Sequence, residues 1–426
     1  MTTAVAAPPA SGHSGAPFGL RRHLGLAAFW FGGNYHWGVI LAVLLPFQVA
    51  RLVPRSQEGA DLGLALGLGS FFAMTLPPLV GYWSDRLRTR WGRRRPIIAI
   101  GTVVNAAGLL LVMTAPSYAA LVAAYLVVQI FNNAAGAAFN AVVPDVVPAP
   151  EYGRQSGILG AMVQLGYVSG LISFLVFSHF GAPLLTYAGI AVVLLLTMVP
   201  TLLASRGEGL GALVVRPRRP PVEAVLEFIR PLHRGDFAWV IFTRLMITAG
   251  IWVVFPFLQY FFRDVAHMAK PADFTDTWLL TVLVAATPLG IAGGWLSDRF
   301  GRKVFVYGSG ALMSLCVLLF IVLYPSQVPL FYVLGVVYGL GYGLYYAVDW
   351  ALACDTLPDR QNAAKDMGLF HVAYTLPQVF LPSAFGFVLD AFNRQAANSG
   401  YRVVFSSGIL FYLLGTVLVS RIKSVR

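Results

Sequence analysis

Two segments of similar sequence occupy equivalent places in the two halves of the chain: GYWSDRLRTRWGRRRP at 81–96 and GGWLSDRFGRK at 293–303. Each follows a long apolar stretch, and their Ser-Asp-Arg cores lie about 210 residues apart. A second pair, PDVVPAPEYGRQSG at 144–157 and CDTLPDRQNAAKDMG at 354–368, repeats at nearly the same offset. The sequence therefore contains an internal repeat, which predicts two halves of one architecture.

The composition places both halves in a membrane. Of the 426 residues, 58% are hydrophobic and 11% are charged, and the mean hydropathy is +0.72. These values exclude a soluble enzyme. The 43 Gly and 26 Pro residues are typical of membrane helices, not of a membrane barrel. Since a helix crosses the hydrocarbon with about 20 apolar residues, twelve spans are predicted at 24–51, 60–84, 93–115, 117–146, 151–177, 182–204, 236–264, 274–299, 302–324, 328–357, 361–390 and 400–421.

One long polar segment interrupts the spans and divides them six and six. The predicted domains are therefore a disordered cytoplasmic tail at 1–22, an N-terminal half at 23–204, a cytoplasmic linker at 205–235 and a C-terminal half at 236–426. The tail has no basic segment ahead of an apolar core, so it is not expected to be a signal peptide. The fold class is an all-α membrane protein with twelve transmembrane helices in two six-helix halves.

The basic residues predict how the helices are inserted. An even number of spans places both termini on one side. With that side cytoplasmic, 23 of the 30 Lys and Arg residues lie in cytoplasmic segments and six lie in the opposite loops. The positive-inside rule therefore predicts cytoplasmic termini. The expected location is a plasma membrane, specifically a bacterial inner membrane. The arginines of 86–95 have only Trp91 among them as an aromatic partner, which disfavours nucleic acid.

The repeated loops resemble the signature loop of the major facilitator superfamily, G-x-x-x-D-R-x-G-R-[RK]. The second copy is nearly complete at Gly294, Asp298, Arg299, Gly301, Arg302 and Lys303. The first copy is stretched, with Gly81, Asp85 and Arg86 followed later by Gly92-Arg93-Arg94-Arg95-Pro96, and looks like that of the sucrose transporters and the glycoside-pentoside-hexuronide group. Asn132-Asn133, Phe255-Pro256-Phe257-Leu258 and Leu376-Pro377-Gln378 are further likenesses.

The resemblance implies alternating access around a cavity lined by the first, fourth, seventh and tenth spans. It also implies latches in which Asp85 meets the start of the eleventh span and Asp298 the start of the fifth. A carboxylate at the C-terminal end of its own helix needs such a positive partner, because its own helix dipole disfavours it. The expected gating residues are Asp85, Arg86, Arg93, Arg154, Asp298, Arg299 and Arg302.

One position departs from the resemblance. Proton-coupled sucrose transporters carry an Asp three residues before the Asn-Asn pair, and this chain has Gln129 there. The coupling mechanism therefore does not transfer directly. Carboxylates deep in the second and fourth spans, which sodium-coupled melibiose relatives use, are absent from the sequence, so sodium coupling of that type is not expected.

Polar residues inside the spans are costly, so their positions indicate function. Several follow helical spacing on one face of a span and combine amide, indole and phenol groups, which suit a neutral polyol with its hydroxyls and apolar C–H faces. The predicted substrate-binding residues are Asn34, His36, Trp37, Gln129, Asn133, Trp252, Gln259, Tyr346 and Gln378. The alternative is that these groups hydrogen-bond one another between packed helices.

Asp349 is the only acidic residue placed well inside a predicted span, and Arg244 lies at a similar depth. The two side chains can pair, with His371 nearby in the eleventh span. A carboxylate whose affinity for a proton changes when a cation moves is what proton coupling needs. These three residues are the predicted coupling site, and the alternative is a permanent structural ion pair.

The sequence thus predicts a secondary transporter that moves a neutral sugar, a disaccharide or glucoside, by proton symport. The alternatives are a proton-driven exporter of amphiphilic compounds, a sugar facilitator without ion coupling, and a non-transporting lipid-handling protein. The motifs of membrane-bound hydrolases and nucleotide enzymes are absent from the sequence, so no enzymatic activity is expected. No cofactor or metal is expected, since Cys316 and Cys354 lie apart in apolar runs. The expected partners are the sugar, protons and the bilayer, and the expected state is a monomer.

Overall fold

The computed structural model describes residues 18–84, 87–148, 151–207, 229–233, 235–322, 328–358 and 363–425. In these ranges the chain forms twelve long helices and no strand. They are α1 (Leu20–Leu52), α2 (Glu58–Ser84), α3 (Arg95–Met113), α4 (Tyr118–Val146), α5 (Tyr152–His179), α6 (Leu185–Ala204), α7 (Gly235–Asp264), α8 (Pro271–Phe300), α9 (Arg302–Val322), α10 (Val328–Asp355), α11 (Ala363–Gln395) and α12 (Ser399–Leu418). Among the described residues, eleven helices are long and apolar enough to cross a membrane, and α8 has the length of the twelfth.

The twelve predicted spans are therefore confirmed, with helix ends within about two turns of the predicted ones. Most of the linker, 208–228, lies outside the described residues, and a short 3₁₀ turn at Arg230–His233 leads into α7. The helices alternate in direction, so both described ends of the chain lie at one end of the bundle. We call it the terminal end and the opposite one the far end.

The packing of the helices repeats between the halves. In the N-terminal half α1 packs on α5 and α6, α2 on α4, and α3 on α4 and α6. In the C-terminal half α7 packs on α11 and α12, α8 on α10, and α9 on α10 and α12. Each contact of one half has its counterpart six helices later, which is what the sequence repeat predicts. Between the halves, α2 packs on α11 and α5 on α8.

The helices α1 and α7 are irregular at matching depths. In α1 the segment Ile40–Leu44 is a wide π turn that ends two residues before Pro46, and in α7 a 3₁₀ turn at Phe255–Phe257 contains Pro256. Proline has no N–H and its ring clashes with the preceding turn, so the local hydrogen bonding must adjust. Both irregular turns lie toward the far end, where the two helices come together.

The apolar core has three parts in the described chain. The largest cluster lies toward the far end and takes buried residues from both halves, such as Leu44, Tyr125, Phe257 and Trp278. At the terminal end the core divides into one cluster within each half, around Phe139 and around Phe237. Apolar packing therefore joins the two halves at the far end, while each half has its own apolar cluster at the terminal end.

Candidate functional site

Glycines allow α2 and α11 to pack backbone to backbone at the far end. A Cβ built on Gly63 would lie 2.1 Å from the carbonyl oxygen of Pro382, and one built on Gly386 would lie 2.0 Å from that of Gly59. Both distances are far below any real contact, so only glycine fits. The Ser383 hydroxyl donates to the Gly63 carbonyl at 2.7 Å. This contact closes the far end along one side.

Charged groups also stabilise the contact between α2 and α11 at the far end. Asp390 on α11 accepts hydrogen bonds from the Gly59 and Ala60 amides, at 3.1 and 2.7 Å, in the first turn of α2. A helix N-terminus favours an anion, because its first amides are unpaired and its dipole is positive there. Beside it, Arg263 of α7 binds both oxygens of Glu58, a pairing that also joins the two halves.

Two further contacts join the halves at the far end. The Tyr260 hydroxyl donates to the Pro46 carbonyl at 3.1 Å, which holds the irregular turns of α7 and α1 together. On the opposite side, the Ser178 hydroxyl at the end of α5 donates to Asp273 at the start of α8. The far end is thus closed on every side where the halves meet in the described chain.

Gln259 belongs to this closed end and not to a cavity. With its amide oriented to satisfy both groups, its nitrogen donates to the Val43 carbonyl at 2.9 Å and its oxygen accepts from the Phe47 amide at 3.2 Å. Its side chain is buried. The sequence placed Gln259 on the face of the polar residues of its span, but the 3₁₀ turn before it directs that face onto α1. In this state it is not a substrate contact.

At the terminal end, the ion pairs between described side chains stay within one half. Arg93 and Arg94 bind Asp145 at 2.9 and 2.7 Å in the N-terminal half, and Arg302 binds Asp355 at 2.7 Å in the C-terminal half. These described ion pairs therefore stabilise each half separately and do not join the two halves at the terminal end. Of the other expected gating residues, Arg154 and Arg299 are exposed, while Asp85, Arg86 and the side chain of Asp298 lie outside the described residues.

A further polar contact, between α1 and the start of α5, stabilises the N-terminal half at the terminal end. The His23 ring contacts the Glu151 carboxylate at 2.7 Å and the Gln155 amide oxygen at 2.6 Å. The hydrogen bond from the His23 ring, followed by that from the Phe18 amide, lowers the pKa of Glu151. Glu151 therefore stays ionised and ties the start of α5 to α1.

Arg244 and Asp349 meet, as their equal depth predicts. The Arg244 guanidinium on α7 donates to one oxygen of Asp349 on α10, and the Tyr345 hydroxyl donates to the other at 2.8 Å. Both charged side chains are nearly buried, with 11% and 8% exposed. The guanidinium also lies over the Phe370 ring, 3.8 Å from its centroid, and 5.2 Å from that of Tyr374. The pair is thus enclosed by aromatic rings of α11.

Phenol groups surround this pair on the cavity side. The rings of Tyr342 and Tyr346 lie 4.4 Å apart, and Tyr346 is 38% exposed. Tyr374 lies near enough to both for electrostatic interaction, and near enough to Tyr167 of the other half. The phenols of both halves therefore meet in the middle of the bundle. His371, one residue after Phe370, is exposed at the cavity.

The predicted residues of α1 and α4 satisfy one another in part. Gln129 donates to the Tyr125 hydroxyl at 2.6 Å and accepts from Asn133 at 3.0 Å, while Asn34 donates to the Trp30 carbonyl at 2.7 Å. Gln129 is buried against Gly69 of α2, whereas Asn133 is only half-buried. Of these three, Asn133 has the most exposed side chain.

Unpartnered donors lie at one depth in the two halves. His36 lies 16 residues after Leu20 and Trp252 lies 17 residues after Gly235, so both are about 25 Å along their helices. Neither ring nitrogen of His36 nor the indole nitrogen of Trp252 has a hydrogen-bond partner, although all are buried. Trp37 packs edge-on against His36 at 4.2 Å, and Gln378 is half-buried on α11.

Phe370, Tyr374 and Tyr345 are not among the residues that the sequence predicts for the site. Phe370 and Tyr374 flank His371 on α11, and Tyr345 precedes Asp349 by one helical turn. An aromatic residue one helical turn from an intramembrane charge, as Tyr345 is from Asp349, is a usable signal that aromatic rings enclose the charge. The sequence contains 30 Phe and 18 Tyr, however, so this signal alone does not single out these three.

Two repeated six-helix halves, joined at the far end and enclosing buried charges and polar groups, define a membrane transporter fold. The chain belongs to the Major Facilitator Superfamily, whose family model matches residues 23–290 and 272–425. The protein is therefore a multi-pass membrane protein of this superfamily, and the resemblance inferred from the repeated loops is confirmed.

Sequence relatives are similar over parts of the chain. Sucrose transport protein SUT1 of Oryza sativa subsp. japonica is 35% identical over 97 residues, which are 21% of this chain and 16% of that protein. The class E tetracycline resistance protein of Escherichia coli is 27% identical over 133 residues, 31% of each chain. This chain therefore spans a sixth to a third of the length of these relatives.

Solved structures share the whole fold. A variant of the nucleoside transporter NupG superposes with a TM-score of 0.74 at 14% identity, covering 94% of this chain and 100% of that one. A bacterial homologue of the human lysosomal transporter Spinster, inward-facing and unoccupied, gives a TM-score of 0.73 at 15% identity, covering 95% and 97%. At these identities the likeness establishes the fold alone.

Proposed function

We propose that the protein is a proton symporter for a neutral sugar, a disaccharide or glucoside. The observation that carries the proposal is the buried Arg244–Asp349–Tyr345 cluster beside phenol rings in the middle of the bundle. A titratable pair next to an aromatic and hydrogen-bonding surface combines the two elements that such a symporter needs.

The substrate class follows from the groups that lack partners. His36 and Trp252 supply buried donors without acceptors, and Asn133 supplies an accessible amide. A buried polar group without a partner is costly, so a ligand rich in hydroxyls is favoured at such groups. Phenol and indole rings provide flat apolar surfaces for the C–H faces of a sugar. A partial likeness to sucrose transport proteins agrees with this class.

Proton coupling is assigned to Asp349. Its two oxygens are held by Arg244 and Tyr345, and His371 lies at the cavity beside them. Movement of α7 relative to α10 during alternation changes the distance between the cation and the carboxylate, which changes the proton affinity of the carboxylate. Gln129 stands where the sucrose transporters carry their Asp. Its amide does not titrate, so it cannot bind and release the coupled proton.

A ligand screen tests the substrate class. In a thermal-shift panel, sucrose, maltose or the glucoside salicin is expected to stabilise the purified protein, by about 2.7 kcal/mol at a concentration one hundred times Kd. Trp252→Phe keeps the aromatic ring and removes the donor, so it is expected to weaken this stabilisation. Trp239→Phe on the same helix is the matched control. Stabilisation by cationic dyes and by none of the sugars identifies an exporter of amphiphiles and overturns the proposal.

Cytoplasmic termini are part of the proposal and predict a labelling pattern. With Cys316 and Cys354 replaced by Ser, Lys270→Cys in the far-end loop is expected to react with an impermeant maleimide added to intact cells. Arg206→Cys, after α6 at the terminal end, is expected to react only after the cells are permeabilised. Lys270 is 74% exposed and Arg206 is exposed, so access to water is not limiting. The reverse pattern would invert the proposed topology.

A further inference from the structure

Asp276, in the second turn of α8, is the most unusual acidic residue of the described chain. Its side chain is fully buried, at 0% exposure, and neither carboxylate oxygen has a hydrogen-bond partner. The buried carboxylates of Asp349 and Asp390, by contrast, both accept hydrogen bonds. An ionised carboxylate without any partner in such a place costs several kcal/mol. Asp276 is therefore neutral, with a bound proton, in this state.

The position of Asp276 connects it to the closed far end. Asp273, one helical turn earlier on α8, accepts the hydrogen bond of Ser178 on α5. Residues three apart lie on neighbouring parts of one helix face. Because α8 packs on α5 and on Ile40–Leu44 of α1, this face of α8 meets the N-terminal half. Separation of the halves at the far end is therefore expected to expose Asp276 to the water on that side.

Among the described residues, no charged side chain of α8 or of the helices packed on it pairs with the Asp276 carboxyl. On α8 itself, Asp273 pairs with the exposed Lys270 at 3.8 Å. The segment Ile40–Leu44 of α1 carries no titratable group. The titratable groups that the other packed helices bring to this end are engaged elsewhere or exposed: Arg263 and Asp264 of α7 bond to each other, Tyr332 of α10 to Thr277, and His179 of α5 lies against Phe180.

We propose that Asp276 is a proton-binding site that couples closure of the far end to the pH on that side. The carboxyl binds a proton from far-side water before α5 and α8 close over it. It loses that proton to the same water when they separate. Acid on the far side therefore favours the closed far end, by at most tenfold per pH unit for one proton. Since this proton returns to the side from which it came, it is distinct from a proton carried through the cavity by Asp349.

Distance measurements without substrate test the proposal, so the outcome does not depend on the sugar assignment. Spin labels are placed at Ser56→Cys in the N-terminal half and at Ala397→Cys in the C-terminal half. Both residues line one exposed far-end cavity of about 420 Å³. Cys316 and Cys354 are replaced by Ser. Double electron–electron resonance in nanodiscs from pH 5 to 9 then measures the distance between the two labels and so the closed fraction. The closed fraction is expected to rise as the pH falls. In Asp276→Asn the rise of the closed fraction with falling pH is expected to be lost.

Three further variants make the result decisive. Asp276→Glu keeps a titratable group and is expected to retain a pH response. Asp273→Asn removes the neighbouring carboxylate and is expected to shift the closed fraction without removing its pH dependence. The series is repeated with Asp349→Asn, so that the cavity carboxyl does not contribute. An unchanged pH response in Asp276→Asn, or no response in the otherwise unchanged protein, would overturn the proposal.

Discussion

Asp349→Asn is expected to abolish accumulation of the sugar against its gradient, while exchange of sugar at equal pH continues. The amide has the size of the carboxyl but binds no proton, and exchange needs alternation without net proton movement. In proteoliposomes with a pH difference of one unit, one proton per sugar supports about tenfold accumulation, because that difference is worth about 1.4 kcal/mol. The Asp349→Asn variant is expected to reach a ratio of one.

Tyr345→Phe is the matched control for Asp349→Asn. It removes the hydrogen bond to the second oxygen of Asp349 and leaves the carboxyl able to titrate. Accumulation is therefore expected to persist, with a changed pH dependence. Continued accumulation by Asp349→Asn would place the proton site elsewhere, with His36 or His371 as the next candidates, since an imidazole titrates near neutral pH.

Gly386→Ala is expected to prevent closure of the far end and to reduce transport of every kind, exchange included. The added methyl would lie 2.0 Å from the Gly59 carbonyl oxygen, and neither backbone has room to move without breaking the Asp390 contacts. Overpacking of this kind costs about 1–3 kcal/mol. That cost shifts the equilibrium between closed and open far ends by roughly 5- to 150-fold.

The control for Gly386→Ala is Gly160→Ala on α5, where an added Cβ meets no atom within 4 Å. This variant is expected to transport normally. Initial rates of exchange and spin-label distances at Ser56→Cys and Ala397→Cys measure both variants. If Gly386→Ala exchanges sugar at the rate of Gly160→Ala, the α2–α11 contact is not a gate that must close.

The architecture and the central ion pair could be predicted because both depend on features that are local in sequence. Hydropathy sets each span, and the repeated Ser-Asp-Arg loops align the halves. Arg244 and Asp349 are both buried charges at one depth, and a charge in hydrocarbon needs a partner. Their pairing therefore followed from position alone.

The closed far end could not be predicted, because it depends on which faces of the two halves meet. Gly59, Gly63 and Gly67 repeat every fourth residue, which fits packing within a half equally well. Asp276 lies so near the start of α8 that the sequence gives no reason to bury it. Its burial comes from the packing of other helices on α8, which is not local in sequence. The expectation that Asp349 alone is a buried acid was incomplete for this reason.

The most direct test of the account is a measurement of proton movement caused by sugar alone. Proteoliposomes that contain a trapped pH indicator, at equal pH on both sides, receive an inward gradient of the sugar that gives the largest thermal shift. We predict that the interior becomes acidic with the protein and stays unchanged with Asp349→Asn. Sugar entry without any change of internal pH would contradict the account and identify a facilitator.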